Sequence, residues 1–181
     1  MPPPLYVPSH TGLGALEELS VVPWTILRHA YGRGVTGDGI HDDVARSFRE
    51  LAHDPEEAVD GGLYSNIYHQ GTVYEATAYA VPFLAAIAAG DIESSLRREL
   101  AQMLGSIALA ASFATADGSR AGAYGEGVDV LIREAFTRCR AHVGAIAAAE
   151  PELAEIVGAI SAMVADPNRA TKDALRTALG R

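Results

Sequence analysis

Apolar residues recur three and four positions apart from Trp24 to the end of the chain, and no stretch alternates apolar with polar residues as a half-buried strand does. The pattern predicts an all-α domain. Asp42 or Asp43 opens a helix with Val44, Phe48 and Leu51 on one face. Asp54-Pro55-Glu56-Glu57 opens the next, with an N-cap, a proline at the first helical position and carboxylates at the positive end of the helix dipole. That helix carries Ala58, Val59, Leu63 and Ile67, and Gly61-Gly62 weakens its middle by roughly 1 kcal/mol per glycine relative to alanine. Gly71 is then expected to end the helix in the left-handed conformation, while Thr72 caps its successor and Glu75 completes a capping box. On this reading residues 55–67 and 73–88 form an antiparallel helical hairpin. Its second member presents Ala76, Ala80, Phe83, Leu84 and Ile87, with a bend at Pro82.

From Ser94 a longer helix carries Leu96, Leu100, Met103, Leu104, Ile107 and Ala111. The Gly-, Ser- and Ala-rich stretch 115–127 breaks the pattern and reads as a flexible inter-helix loop. Val128, Leu131, Ile132, Ala135, Phe136, Cys139, Val143 and Ile146 follow as one helical stripe. Asp54-Pro55, Glu150-Pro151 and Asp166-Pro167 repeat one helix-start device at irregular spacing, so no fixed repeat period emerges. The prolines at 2, 3, 4 and 8 make residues 1–14 an extended arm.

Composition narrows the class. A chain of 181 residues suits a single domain over 1–181, and a hydrophobic fraction of 49% argues against disorder. No apolar run is long enough to span a membrane, and the start lacks the basic and apolar regions of a secretory signal, so a cytoplasmic protein is expected. The net charge of −9, with Lys172 the single lysine, argues against nucleic acid; ordinary solubility accounts for it, and a basic partner would also be drawn to such a surface. Cys139, the one cysteine, allows no internal disulfide and reads as a buried, inert thiol.

Candidate chemistry is sparse. Asp38-Gly39-Ile40-His41-Asp42-Asp43 gathers oxygen and nitrogen donors, but it lacks both the spacing of a calcium loop and the paired histidines of a helical zinc site, and capping explains it. His53 beside Asp54 reads the same way, as a surface residue next to a cap. The His69 imidazole can donate or accept at a binding surface or, with Gln70, satisfy helix-terminal carbonyls, and Tyr74 and Glu75 are its only local company, which is no catalytic constellation. Tyr64, Tyr68, His69, Gln70 and Tyr74 instead form a polar aromatic corner of the kind enriched at protein interfaces, where packing inside the hairpin competes with presentation to a partner.

The run His69-Gln70-Gly71-Thr72-Val73-Tyr74, followed by Ala80-Val81-Pro82-Phe83-Leu84 and preceded by Trp24 and Leu27-Arg28-His29-Ala30-Tyr31-Gly32, resembles a group of actinobacterial HEAT-repeat-like proteins. The resemblance covers residues 24–89, and Cys139-Arg140-Ala141-His142-Val143-Gly144 and the helix after Asp166-Pro167 are consistent with it. It implies a HEAT-like α-solenoid of stacked antiparallel helical hairpins, with an irregular helical bundle as the alternative. Some relatives in that group look like immunity proteins. The expected function is therefore a non-enzymatic protein-binding module, immunity- or antitoxin-like, that neutralises a basic bacterial effector such as a cationic toxin. Alternatives are an enzyme or small-molecule binder with a pocket near the His69-Gln70 corner, lidded by 115–127, and a regulatory scaffold. No catalytic residue, metal or cofactor is assigned.

Overall fold

A computed structural model describes residues 3–34, 43–112, 114–115 and 122–181. The described chain is mostly helical, with short strands inserted between helices. Residues 3–8 carry no regular secondary structure and lead into a 3-10 helix, Gly12–Val21. A two-residue hairpin follows, with β1 (Arg28–His29) antiparallel to β2 (Gly32–Arg33). Helix α1 (Val44–Glu50) is capped by Asp43, whose side chain accepts from the Arg46 N–H at 3.0 Å. Positions 38–42 of the donor-rich segment lie outside the described residues.

Asp54 caps the next segment as expected, its carboxylate accepting from the Glu57 N–H at 3.1 Å. The segment is wound as a π-helix over Glu57–Leu63 and tightens to α2 (Tyr64–Ile67). The glycines have a packing reason here. A Cβ on Gly62 would stand 2.8 Å from the Ser47 Cβ, so the close approach of this segment to α1 requires glycine.

The corner itself differs from the sequence reading. Tyr68–His69 (β3) pairs antiparallel with Thr72–Val73 (β4), so a β-hairpin replaces the capped helix-to-helix turn between 55–67 and 73–88. Gln70 and Gly71 both have positive φ, 50° and 82°, as a type I′ turn requires. Thr72 is a strand residue and not an N-cap. Tyr74 occupies that position, its N–H donating to Thr77 Oγ1 at 2.8 Å, and Thr77 Oγ1 in turn donates to the Ile67 carbonyl at 2.6 Å. Threonine at the third helical position thus closes the helix start.

Helix α3 (Glu75–Ala89) is buried from Ala76 to Ala88, on every face and not along one stripe. It carries no charge after Glu75, so it tolerates burial all round. The Gly12–Val21 helix, α4 (Ser94–Ala110), α5 (Val128–Arg138) and α6 (Arg140–Ala149) all pack against it. Trp24, Phe48 and Phe83 meet pairwise at 5.8–5.9 Å between ring centroids, which ties the N-terminal segment and α1 to α3. The stripe expected over 128–146 is two helices, broken at Cys139, which is buried and whose thiol burial pushes up to about 12. Helices α7 (Ala154–Ala165) and α8 (Arg169–Ala178) complete the order, α7 against α4 and α6, and α8 against α7. Asn168 caps α8, two residues after the Asp166 expected at that helix start.

The expected loop 115–127 contributes to a sheet. Gly122–Tyr124 (β6) lies parallel between β4 and β5 (Ala114–Thr115), giving the order β3-β4-β6-β5. Residues 116–121 lie outside the described residues. The N-terminal arm is docked: Tyr79 Oη donates to the Pro3 carbonyl at 2.6 Å, Leu5 is buried and Tyr6 packs on Phe83. No helix of the described residues is long and apolar enough to cross a membrane.

Candidate functional site

The two antiparallel hairpins share one design. Each has two-residue strands, a two-residue turn and a histidine as the second residue of its first strand, in Leu27-Arg28-His29 and Ile67-Tyr68-His69. They lie side by side. The Ala30 N–H donates to the Asn66 carbonyl at 2.9 Å, and the Tyr31 ring stands 5.7 Å from the His69 ring. This recurrence was visible in the sequence and would have placed Tyr31 in the site.

The histidines differ in role. His29 is buried, with Nε2 2.7 Å from the Gly34 carbonyl and Nδ1 3.4 Å from the Tyr31 N–H, contacts that order its own turn. His69 is half-buried against Tyr31. The neighbouring carboxylate, Glu75, faces elsewhere: its Oε2 accepts from the Arg28 N–H at 3.2 Å and from Arg33 Nη1 at 3.1 Å. Among the described residues no carboxylate is seen to orient His69 as a general base would need. Among the described residues no group of three or more His, Cys, Asp or Glu side chains is placed to hold a metal ion.

The tyrosines of the corner separate into pairs. Tyr64 and Tyr68 stack edge to face at 5.8 Å on one flank, and Tyr74 meets Tyr124 of β6 at 5.8 Å on the other. Both Tyr64 and Tyr74 are half-buried, and burial is the main cause that raises each phenol above its ordinary value. Gln70 and Tyr31 stand out at the hairpin tips, Tyr31 47% exposed. The face is thus an aromatic ridge running from Tyr64 and Tyr68, over His69, Gln70 and Tyr31, to Tyr74 and Tyr124.

Beyond Tyr124 the ridge descends into a groove of about 820 Å³ between the β1–β2 hairpin and α5. Ile26 and Val130, 55% and 56% exposed, line it, together with Arg28, Arg33 and Glu75. Arg28 lies over the Tyr124 ring, 5.5 Å from its centroid. Sequence reasoning missed Arg28, Tyr124 and Val130, because they are brought together only by the parallel pairing of β4 with β6. Comparison of the chain with known family models, with curated proteins and with solved structures finds no match in any of the three.

Proposed function

We propose that the chain is a non-enzymatic protein-binding module that docks a partner on the ridge formed by its two hairpin tips. Gln70 carries this reading. It is the one non-glycine residue with positive φ among the described residues, and it stands exposed at the tip beside the exposed Tyr31. An L-residue in that conformation costs on the order of 1 kcal/mol, and glycine would avoid the cost. A long polar side chain kept at a strained, solvated position is best explained by what it contacts outside the chain.

The partner we favour is a basic protein, with the chain acting in the cytoplasm as an immunity- or antitoxin-like neutraliser. The net charge of −9 supports this, since it speeds encounter with a cationic surface, while the tyrosines supply contacts that hold the complex. A HEAT-like affiliation belongs to the same proposal; its support is the resemblance of residues 24–89 together with the consecutive packing of α6, α7 and α8.

Gln70→Gly and Tyr31→Ala test it. Relief of strain and the added freedom of glycine in the unfolded chain each amount to about 1 kcal/mol and oppose one another, so Gln70→Gly should leave stability nearly unchanged. Wild-type protein should retain one basic protein from extract of the source cell, reconstitute a complex with it from purified components, and bind more slowly as salt rises. Both variants should lose that complex. Equal binding by folded variants and wild type would remove the ridge from function.

A further inference from the structure

The groove beside the ridge is lined by a guanidinium, that of Arg28, which no side-chain carboxylate among the described residues contacts. The Arg28 guanidinium is half-buried over Tyr124, and only the backbone N–H of Arg28 reaches Glu75. Glu75 Oε2 is occupied by that N–H and by Arg33 Nη1, which also donates to the Ile26 carbonyl at 2.8 Å. On the opposite wall Glu134 is taken by Arg138 one turn along α5, at 2.6 and 2.9 Å. Among the described residues no carboxylate pairs with the Arg28 guanidinium. A guanidinium drawn out of bulk water ordinarily finds an anion, and the aromatic face beneath it replaces only part of that interaction.

The surroundings specify the anion further. Val128 and Leu131 of α5 join Ile26 and Val130 in giving the groove apolar walls, and its volume of about 820 Å³ fits a small organic molecule. Glu75, Glu126 and Glu134 also line it, so a doubly charged phosphate meets about twice the repulsion that a singly charged group meets. The planar fork of a guanidinium matches a carboxylate, and stacking on Tyr124 holds that fork in place.

We propose that this groove binds a small organic carboxylate with an apolar body, its anion on Arg28 and its body against Ile26, Val128 and Val130. The site is distinct from the ridge and stands whether or not the ridge docks a protein. Phosphate is the competing anion and an outcome of the test.

Calorimetric titration of the folded chain with 4-phenylbutyrate, with its neutral amide and with inorganic phosphate decides the matter. The acid should bind at least about tenfold more tightly than the amide at neutral pH, and weaken as salt rises, because the guanidinium distinguishes charged from neutral oxygen. Arg28→Gln should abolish that preference with the thermal midpoint unchanged. Should Arg28→Gln fail to fold, Val130→Ser decides instead: it removes an exposed apolar wall residue without adding charge and should weaken acid and amide alike. Gln70→Gly, which removes only a ridge contact, should bind the acid like wild type. Equal affinity for acid and amide, tighter binding of phosphate, no saturable binding at millimolar concentration, or an unchanged preference in folded Arg28→Gln would each overturn the proposal.

Discussion

Glu18 shows how much one side chain can hold in this protein. Its carboxylate accepts from Tyr6 Oη, from the Ser9 and His10 N–H groups and from Ser9 Oγ, and it pairs with His10 Nδ1 at 2.7 Å. Burial pushes its pKa up, but these donors together outweigh burial and hold it down at about 2. A carboxylate held below its ordinary 4.5 contributes stability that is complete above that value and fades as pH falls toward 2. Thermal midpoints of wild type and Glu18→Gln should therefore differ at neutral pH and converge near pH 2; a constant gap would mean that the carboxylate acts without its charge. His142 sets a second, higher window. Burial lowers its pKa below 6.5 and its Nδ1 has no hydrogen-bond partner among the described residues, so the unfolded chain gains a proton first as pH drops through 6.5 and stability declines. His142→Leu should remove that upper decline while leaving the lower one. At Gly90 sterics dominate: a Cβ would stand 1.9 Å from the Gly12 nitrogen, where α3 ends against the first 3-10 helix. Gly90→Ala should cost at least about 1–3 kcal/mol in chemical denaturation.

The informative elements are the shortest ones. A sequence of type Thr-x-x-Glu after glycine fits a capping box, and Thr72 and Glu75 satisfied it, yet the same glycine also ends a type I′ turn. Two-residue strands leave no alternation to detect, so periodicity could not arbitrate between the two. What settles the geometry is the buried Thr77, whose hydroxyl serves both the Tyr74 N–H and the Ile67 carbonyl. Thr77→Ala should accordingly cost about 1–3 kcal/mol by orphaning two backbone groups, whereas Thr72→Ala leaves the cap intact; paired denaturation curves distinguish them. The longer elements were legible: the Asp43 and Asp54 caps and the span from Ser94 follow from the residues themselves. The central placement of α3 was legible too, in the absence of any charge after Glu75, had composition been weighed above periodicity.

At the scale of the whole molecule a single ionic cluster joins distant helices. Arg97, nearly buried, donates to the Ala88 and Gly90 carbonyls at the end of α3 and to Glu150 after α6, and Glu150 also accepts from Ser94 and Arg98. Those hydrogen bonds hold the Glu150 carboxyl below its usual range. Arg97→Met strips hydrogen bonds from two backbone carbonyls and from Glu150 at once, so it should be far more damaging by thermal unfolding than Arg98→Met, whose side chain is half exposed. The candidate site depended on the same kind of distant assembly. Tyr68, His69, Gln70 and Tyr74 were readable as a corner, but Tyr124 joins Tyr74 only because Val73 pairs with Ala123 across nearly fifty residues, a separation no local pattern encodes. That parallel pairing also bears on how the chain reaches its fold. Helices α3 and α4 lie within the loop it closes, and the entropy of closing so long a loop is expected to slow folding. Fragments 1–121 and 122–181 mixed after separate denaturation should then regain helical signal at a rate set by their concentration, with neither half assembling the sheet alone.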